Sequence, residues 1–274
     1  MTKKADQQQL IQSALQVKAS IAPRDEINAR VDFLCSQMLE TGQHGLVLGI
    51  SGGVDSTVAG RLAQLAVEKA RDQGIDACFY AMRLPYGNQK DEEDAQQALT
   101  FIGPDEVLDV NVKPASDAML TSLEEGGLEF KDAAQRDFVL GNIKARQRMV
   151  AQYAVAGAKS GLVVGTDQAA EALMGFFTKY GDGACDLAPL TGLTKAQVRE
   201  LGATLGAPAS LVEKLPTADL ESLNPQLADE EAMGVTYAEI DAFLSGQEVS
   251  EQAYTTITRT YQRTDHKRQL PKTP

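Results

Sequence analysis

The residues with the clearest capacity for chemistry stand together as Gly49-Ile50-Ser51-Gly52-Gly53-Val54-Asp55-Ser56, directly after the apolar run Leu46-Val47-Leu48. Two adjacent glycines let the backbone approach a ligand closely, and the N–H groups that open the following helix form a nest for an anion such as phosphate. The segment is not a Walker A loop, which ends in Gly-Lys-Ser or Gly-Lys-Thr, because Val54-Asp55 occupies that place. An aspartate cannot contact phosphate directly. A magnesium ion between them reconciles the two, since magnesium takes a carboxylate or two together with phosphate oxygens. Asp55 is therefore read as a metal ligand, against the plainer reading of an N-cap after a Gly-Gly turn.

A second acid stands in Gly165-Thr166-Asp167-Gln168-Ala169-Ala170-Glu171, where Glu171 either shares the metal with Asp55 or is a surface helix acid. The string Gly175-Phe176-Phe177-Thr178-Lys179-Tyr180-Gly181-Asp182-Gly183 then sets two aromatics among glycines, as a core plug or as a stacking platform for a planar ring. Basic residues cluster twice, at Lys144, Arg146 and Arg148 and at Arg263, His266, Lys267 and Arg268. Each cluster is either a small-anion site or a solvated helix face.

These groups need elements to position them. Apolar residues at helical spacing predict helices over about residues 7–16 and 24–40, the second through Ile27, Val31, Leu34 and Met38. Residues 46–50 form a buried strand feeding the Gly-Gly turn and a helix from about Asp55 to Asp72. A second strand at Ala77–Met82 precedes a helix opened by Asp91-Glu92-Glu93-Asp94, where carboxylates suit the positive helix end. A third strand near Val107–Val112, a long helix from about Asp132 to Ala156 and a fourth strand at Gly161–Gly165 complete the pattern. Strands alternating with helices imply an α/β, doubly wound, mainly parallel sheet covered on both faces, with ligands beyond the carboxyl ends of the strands.

The whole chain sets limits on function. Its 274 residues carry 26 basic and 38 acidic side chains, a net charge of -12 that disfavours a nucleic-acid partner. The three cysteines, Cys35, Cys78 and Cys185, form no Cys-x-x-Cys pair and read as reduced thiols of a cytoplasmic protein. No stretch has the length of a membrane span, and the amino terminus lacks the apolar run of an export signal. One domain over residues 1–274 is expected, with amino-terminal helices at about 6–41 and a carboxyl-terminal helical segment at about 236–264.

Ser51-Gly52-Gly53-Val54-Asp55-Ser56 after a strand resembles the pyrophosphate loop of the N-type ATP pyrophosphatases, which split ATP between the alpha and beta phosphates. Further strings extend the likeness: Gly141-Asn142-x-Lys144-Ala145-Arg146-x-Arg148-Met149, Phe176 to Gly183, Leu215-Pro216-Thr217-Ala218-Asp219-Leu220, Gly234-Val235-Thr236-Tyr237 and His266-Lys267-Arg268. Together they resemble the ammonia-dependent NAD synthetases almost end to end. The resemblance implies an adenine nucleotide alpha hydrolase-like fold and a carbon–nitrogen ligase that amidates deamido-NAD through an acyl adenylate, releasing AMP and pyrophosphate. It assigns ATP, as co-substrate, to Gly49, Ile50, Ser51, Gly52, Gly53, Val54, Asp55, Ser56, Arg83, Gln89, Thr166, Lys195 and Thr217. It assigns Mg2+ to Asp55 and Glu171, and deamido-NAD to Arg146, Lys179, Asp186, His266 and Lys267. Asp55, Glu171 and Lys195 become the catalytic set, and a homodimer is implied. The family's glutamine-hydrolysing members carry an added nitrilase-like domain for which this chain has no length, so free ammonia is the expected nitrogen donor.

One departure stands at Gln168, where many bacterial members have histidine; glutamine does not titrate, so this position is read as packing or positioning. Asp167 or Asp182 is a candidate acceptor for the proton of ammonium, or simply caps a turn. The polar, proline-flanked segment 216–225 is expected to be a lid. Two rivals remain. A thiolating or RNA-acting enzyme of the same loop class would need paired cysteines or a basic surface, and a non-catalytic nucleotide sensor would lose Asp55 or its partner acid.

Overall fold

Uncharged apolar runs such as residues 45–49 leave neither side-chain face suited to water, and they become inner strands of a parallel sheet. The computed structural model describes residues 3–87, 92–218 and 227–273. In chain order its first elements are α1 (Lys3–Ala14), α2 (Pro23–Thr41), β1 (Gly45–Gly49), α3 (Val54–Asp72), β2 (Cys78–Arg83), α4 (Glu92–Ile102) and β3 (Glu106–Asp109). They are followed by α5 (Lys113–Glu125), α6 (Ala133–Lys159), β4 (Gly161–Val163), α7 (Ala169–Met174), α8 (Lys195–Leu205) and α9 (Ala209–Val212). A short ribbon of β5 (Thr217–Ala218) and β6 (Leu227–Ala228) then leads to α10 (Asp229–Met233), α11 (Tyr237–Leu244), α12 (Glu251–Arg263) and α13 (Asp265–Arg268).

The sheet runs β3-β2-β1-β4, all parallel, with Val47 level with Tyr80 on one side and Val163 on the other. Side chains alternate between two cores, as the period of a strand demands. Leu46, Leu48, Phe79 and Ala81 pack with α2, α3 and α8 through Leu34, Val58, Leu62 and Val198. Val47, Tyr80, Met82 and Val163 pack on the other face with Ala151, Val155 and Ala156 of α6. The sheet is therefore doubly wound. Because the chain runs outward from β1 to β3 and then crosses back to β4, the topology switches between β1 and β4, where such sheets bind their ligands.

A separate core joins the two ends of the chain. Ile11 and Leu15 pack with Leu173 and Met174 of α7 and with Ile240, Phe243 and Ile257 of α11 and α12. The amides of Gln8 and Gln12 donate to the Phe243 carbonyl at 2.8 and 3.1 Å and so tie α1 to the end of α11. Helix α1 thus serves the carboxyl-terminal segment rather than the sheet. Most strand and helix expectations fall close to the observed bounds; the third strand ends at Asp109 rather than Val112, and α5 and α8 were not read from the sequence.

Candidate active site

Four chain segments converge at the switch point. The first is the turn from β1 into α3. Gly52 has φ +85°, and a Cβ there would lie 2.7 Å from the Ala95 nitrogen, so only glycine lets this turn press against the start of α4. Ser51 and Ser56 brace the turn: their hydroxyls are 3.1 Å apart, and the Gly53 N–H donates to Ser51 Oγ at 3.2 Å. The N-cap of α3 is Gly53, which brings no capping side chain. The first N–H groups of α3 are thereby left for an outside anion. From β2, the buried Arg83 donates to the Ile50 carbonyl at 2.8 Å and pairs with Glu92, clamping the turn to α4. From α6, Gln152 Oε1 accepts from the Gly49 N–H at 2.8 Å.

The second segment follows β4. Gln168 is the N-cap of α7, fully buried, and its Oε1 accepts from the Ala170 N–H at 2.6 Å. Glu171 Oε2 in turn accepts from the Gln168 N–H at 3.1 Å. This reciprocal capping box aims the Glu171 carboxylate, so position 168 orients an acid and moves no proton. The third segment is α8, whose first residue is Lys195. Its Nζ pairs with Asp55 Oδ2 at 2.5 Å, and its backbone N–H donates to Asp241 at 3.2 Å. The fourth is α10, where Asp229 accepts from the Tyr237 hydroxyl at 2.9 Å.

Too many buried acids meet here for all to ionise freely. Burial first, and then the charges of Asp55 and Asp167, push the Glu171 carboxyl well above the usual carboxylate range. Burial, followed by Asp182 and Asp55, pushes Asp167 up to about 8. Burial pulls the Lys195 ammonium down, but Asp55 and Glu171 outweigh it and hold that group above its ordinary value. Asp55 Oδ1 is buried and has no hydrogen-bond partner among the described residues. An orphaned carboxylate oxygen beside a protonation-prone glutamate suits a divalent cation. Among the described residues no group of three or more His, Cys, Asp or Glu is preassembled to hold a metal.

A cavity of about 510 Å³ opens over these groups. Of the residues singled out for ATP and metal, Gly49, Ile50, Ser51, Gly53, Val54, Asp55, Ser56, Arg83, Thr166, Glu171, Lys195 and Thr217 line it. Gly52 supports it from behind, and Gln89 lies outside the described residues, as do residues 219–225 of the expected lid. Of the five assigned to deamido-NAD, Lys267 lines the cavity and donates to the Gly175 and Phe177 carbonyls at 2.8 and 2.7 Å. The other four lie outside its wall but in contact with one another or with its frame. Arg146 Nη2 donates to the Lys179 carbonyl at 3.2 Å, Lys179 Nζ to the His266 carbonyl at 2.6 Å, and Asp186 accepts from the Val163 N–H at 2.7 Å.

The paired phenylalanines divide the two roles considered for them: Phe176 packs against the carboxyl-terminal core, and the Phe177 ring packs against Gly183 with the Lys267 ammonium 5.4 Å from its centroid, while both reach the cavity. Neither basic cluster is merely a solvated face. Lys144 is buried with its ammonium 4.1 Å from the Tyr86 ring centroid, and Arg148 lines the cavity. Gln152 and Asp229 were not singled out from the sequence, and Tyr237 stood only in the string Gly234–Tyr237 without a role. Gln152 lies one helical turn beyond Arg148 and could have been found by that spacing; Asp229, in an acidic helix start, gave no signal.

Comparison with known proteins decides the family. A family model described as NAD synthase matches residues 26–271. The chain belongs to the NAD synthase family. The NH(3)-dependent NAD(+) synthetase of Streptomyces coelicolor is 63% identical over 260 residues, covering 95% of this chain and 94% of that one. The protein of the same name from Burkholderia mallei is 56% identical over 269 residues, 98% and 95% of the two chains. Among solved structures, the NAD+ synthetase of Burkholderia pseudomallei superposes with a TM-score of 0.86 at 54% identity over 99% of each chain. The NMN synthetase of Francisella tularensis superposes at 0.81 with 36% identity, over 93% of this chain and 99% of that one. The loop, the doubly wound sheet and the cavity at its switch point are thus features of an NAD synthase.

Proposed function

We infer that this chain is a carbon–nitrogen ligase that amidates deamido-NAD to NAD with ammonia, at the expense of ATP, through an acyl adenylate. The observation that carries the reading is the meeting of Asp55, Glu171 and Lys195 at an uncapped helix N-terminus beside the Gly52-Gly53 turn. A carboxylate resists ammonia because neither oxygen can leave. Transfer of AMP to one oxygen makes it a leaving group, and ammonia then displaces AMP. The N–H groups at the start of α3 receive the polyphosphate of ATP, and Lys195 faces the pyrophosphate as it departs. Asp55 and Glu171 would hold Mg2+, which when bound neutralises that developing charge. No side-chain nucleophile is required; the protein contributes position and charge.

Asp182 Oδ1 accepts from the Thr178 N–H at 3.0 Å and so caps its turn. Asp167, pushed up to about 8 by burial and its acidic neighbours, holds its own proton near neutral pH and can take one from ammonium only in its ionised fraction. Deamido-NAD extends from the cavity past Lys267 toward Arg146, Lys179, Asp186 and His266. That surface continues into an exposed stripe on α6, where the cavity-lining Phe138 is 57% and Val150 53% exposed on either side of the exposed Arg146, next to Tyr153, which bonds Asp186. We assign the stripe to a homodimer contact beside the dinucleotide. Cytoplasmic residence is the compartment that suits its reduced thiols; among the described residues, no helix is long and apolar enough to cross a membrane.

The test is to mix the protein with ATP, magnesium, ammonium and deamido-NAD and to measure NAD and AMP. Both should form in equal amounts. Deamido-NMN is the control carboxylate, because one structural neighbour bears the name NMN synthetase. Absence of NAD, with or without AMP, would overturn the reading.

A further inference from the structure

Asp229 has no part in the reaction as described, yet its chemistry calls for one. The residue is 7% exposed and lines the cavity. Its Oδ2 is fixed by the Tyr237 hydroxyl at 2.9 Å, while its Oδ1 is buried and has no hydrogen-bond partner among the described residues. An unsatisfied buried carboxylate oxygen is costly and implies a donor in some other state of the molecule.

The neighbouring donor is Lys195. Its ammonium, 5.1 Å from the centroid of the Tyr237 ring, carries three hydrogens and gives one to Asp55 at 2.5 Å. The base of the lysine is anchored, because Asp241 accepts from the N–H groups of Lys195 and Ala196 at 3.2 and 2.8 Å. The stem can therefore swing while the backbone stays. Tyr237 and Asp241 both belong to α11, so one helix holds the foot of Lys195 and the carboxylate beside its head.

We propose that Asp229 is a positioning residue that receives the Lys195 ammonium when Asp55 turns to the metal, keeping that cation over the phosphates. The proposal rests on the roles given above to Asp55 and Lys195. It also links the cation to the segment around Thr217: the Asp229 N–H donates to the Pro216 carbonyl at 3.2 Å, next to the cavity-lining Thr217. A purely structural Asp229 would do no more than fasten α10 to α11 through Tyr237.

A double-mutant cycle on magnesium–ATP affinity separates the two. Asp229→Asn should weaken affinity and slow pyrophosphate release about tenfold each, with an unchanged unfolding midpoint, and Lys195→Gln should weaken affinity at least as much. If Asp229 acts through Lys195, the double variant binds no worse than Lys195→Gln alone. Multiplying losses, or an Asp229→Asn enzyme with wild-type affinity, would overturn the proposal. Should Asp229→Asn unfold early, Tyr237→Phe, which removes only the hydroxyl donor, takes its place in the same cycle under the same criteria. Wild-type enzyme that makes no NAD defeats the proposed function; wild-type enzyme that makes NAD with an additive cycle defeats only the role of Asp229.

Discussion

Asp55 holds the charge balance of the site, and its replacement is the sharpest single-residue test. With Asp55→Ala the buried Lys195 ammonium still faces Glu171 and Asp229, so the fold should survive while pyrophosphate release falls by at least about a hundredfold. Thermal unfolding alongside a pyrophosphate assay checks both halves. Asp167 gives a second prediction, in stability rather than rate. Its folded-state value is raised to about 8 from 3.8, so its favourable contribution is complete below about pH 4 and is lost as pH rises toward 8. Asp167→Asn should therefore unfold somewhat above wild type in metal-free buffer near pH 5, where the unfolded aspartate is already ionised, and the gap should widen by roughly 4 kcal/mol near pH 8. An equal difference at both pH values would mean that ionisation of Asp167 is not what costs stability. At this scale the sequence was informative where a residue type is unusual for its place. Aspartate after a Gly-Gly turn marked Asp55. Asp229 escaped because an acid at a helix start is ordinary, and only the folded chain shows that it is buried beside Tyr237 and Lys195.

Among the elements, the turn between β1 and α3 is the one whose geometry the chemistry depends on. Gly52→Ala would place a Cβ 2.7 Å from the Ala95 nitrogen in a backbone conformation that alanine resists, so the turn must open or α4 must retreat. The expected result is a rise in KM for ATP of tenfold or more, with a loss of about 1–3 kcal/mol in stability; unchanged ATP kinetics would show that the turn does not need its contact with α4. The strands and the helices of the first half were legible because the charge-free runs at residues 45–49 and 78–82 suit inner strands, and each is followed by a helix with one apolar face. Helix α5 was not: its opening Lys-Pro-Ala-Ser-Asp is polar, and only Ser116 and Leu120 are buried. The core shared by α1, α7, α11 and α12 was equally hidden, since it joins segments from opposite ends of the chain whose short apolar stretches do not name their partners.

For the whole molecule, the acidic composition and the cations that line one cavity beside its acids are parts of the same design. A net charge of -12 is compatible with anionic substrates because Lys195, Lys267, Arg148 and the α3 N-terminus concentrate positive potential where the ligands enter. The exposed Phe138 and Val150 then predict assembly: Phe138→Glu with Val150→Glu should give a monomer by sedimentation and raise KM for deamido-NAD, whereas a double variant that sediments like wild type would place the dimer contact elsewhere. The central claim is that the carboxylate of deamido-NAD attacks the alpha phosphorus of ATP at the switch point between β1 and β4. Deamido-NAD labelled with heavy oxygen in its nicotinate carboxylate tests this most directly, by mass spectrometry of the products. One labelled oxygen should leave in the phosphate of AMP for each NAD formed; label in pyrophosphate or inorganic phosphate, or unlabelled AMP, would contradict it.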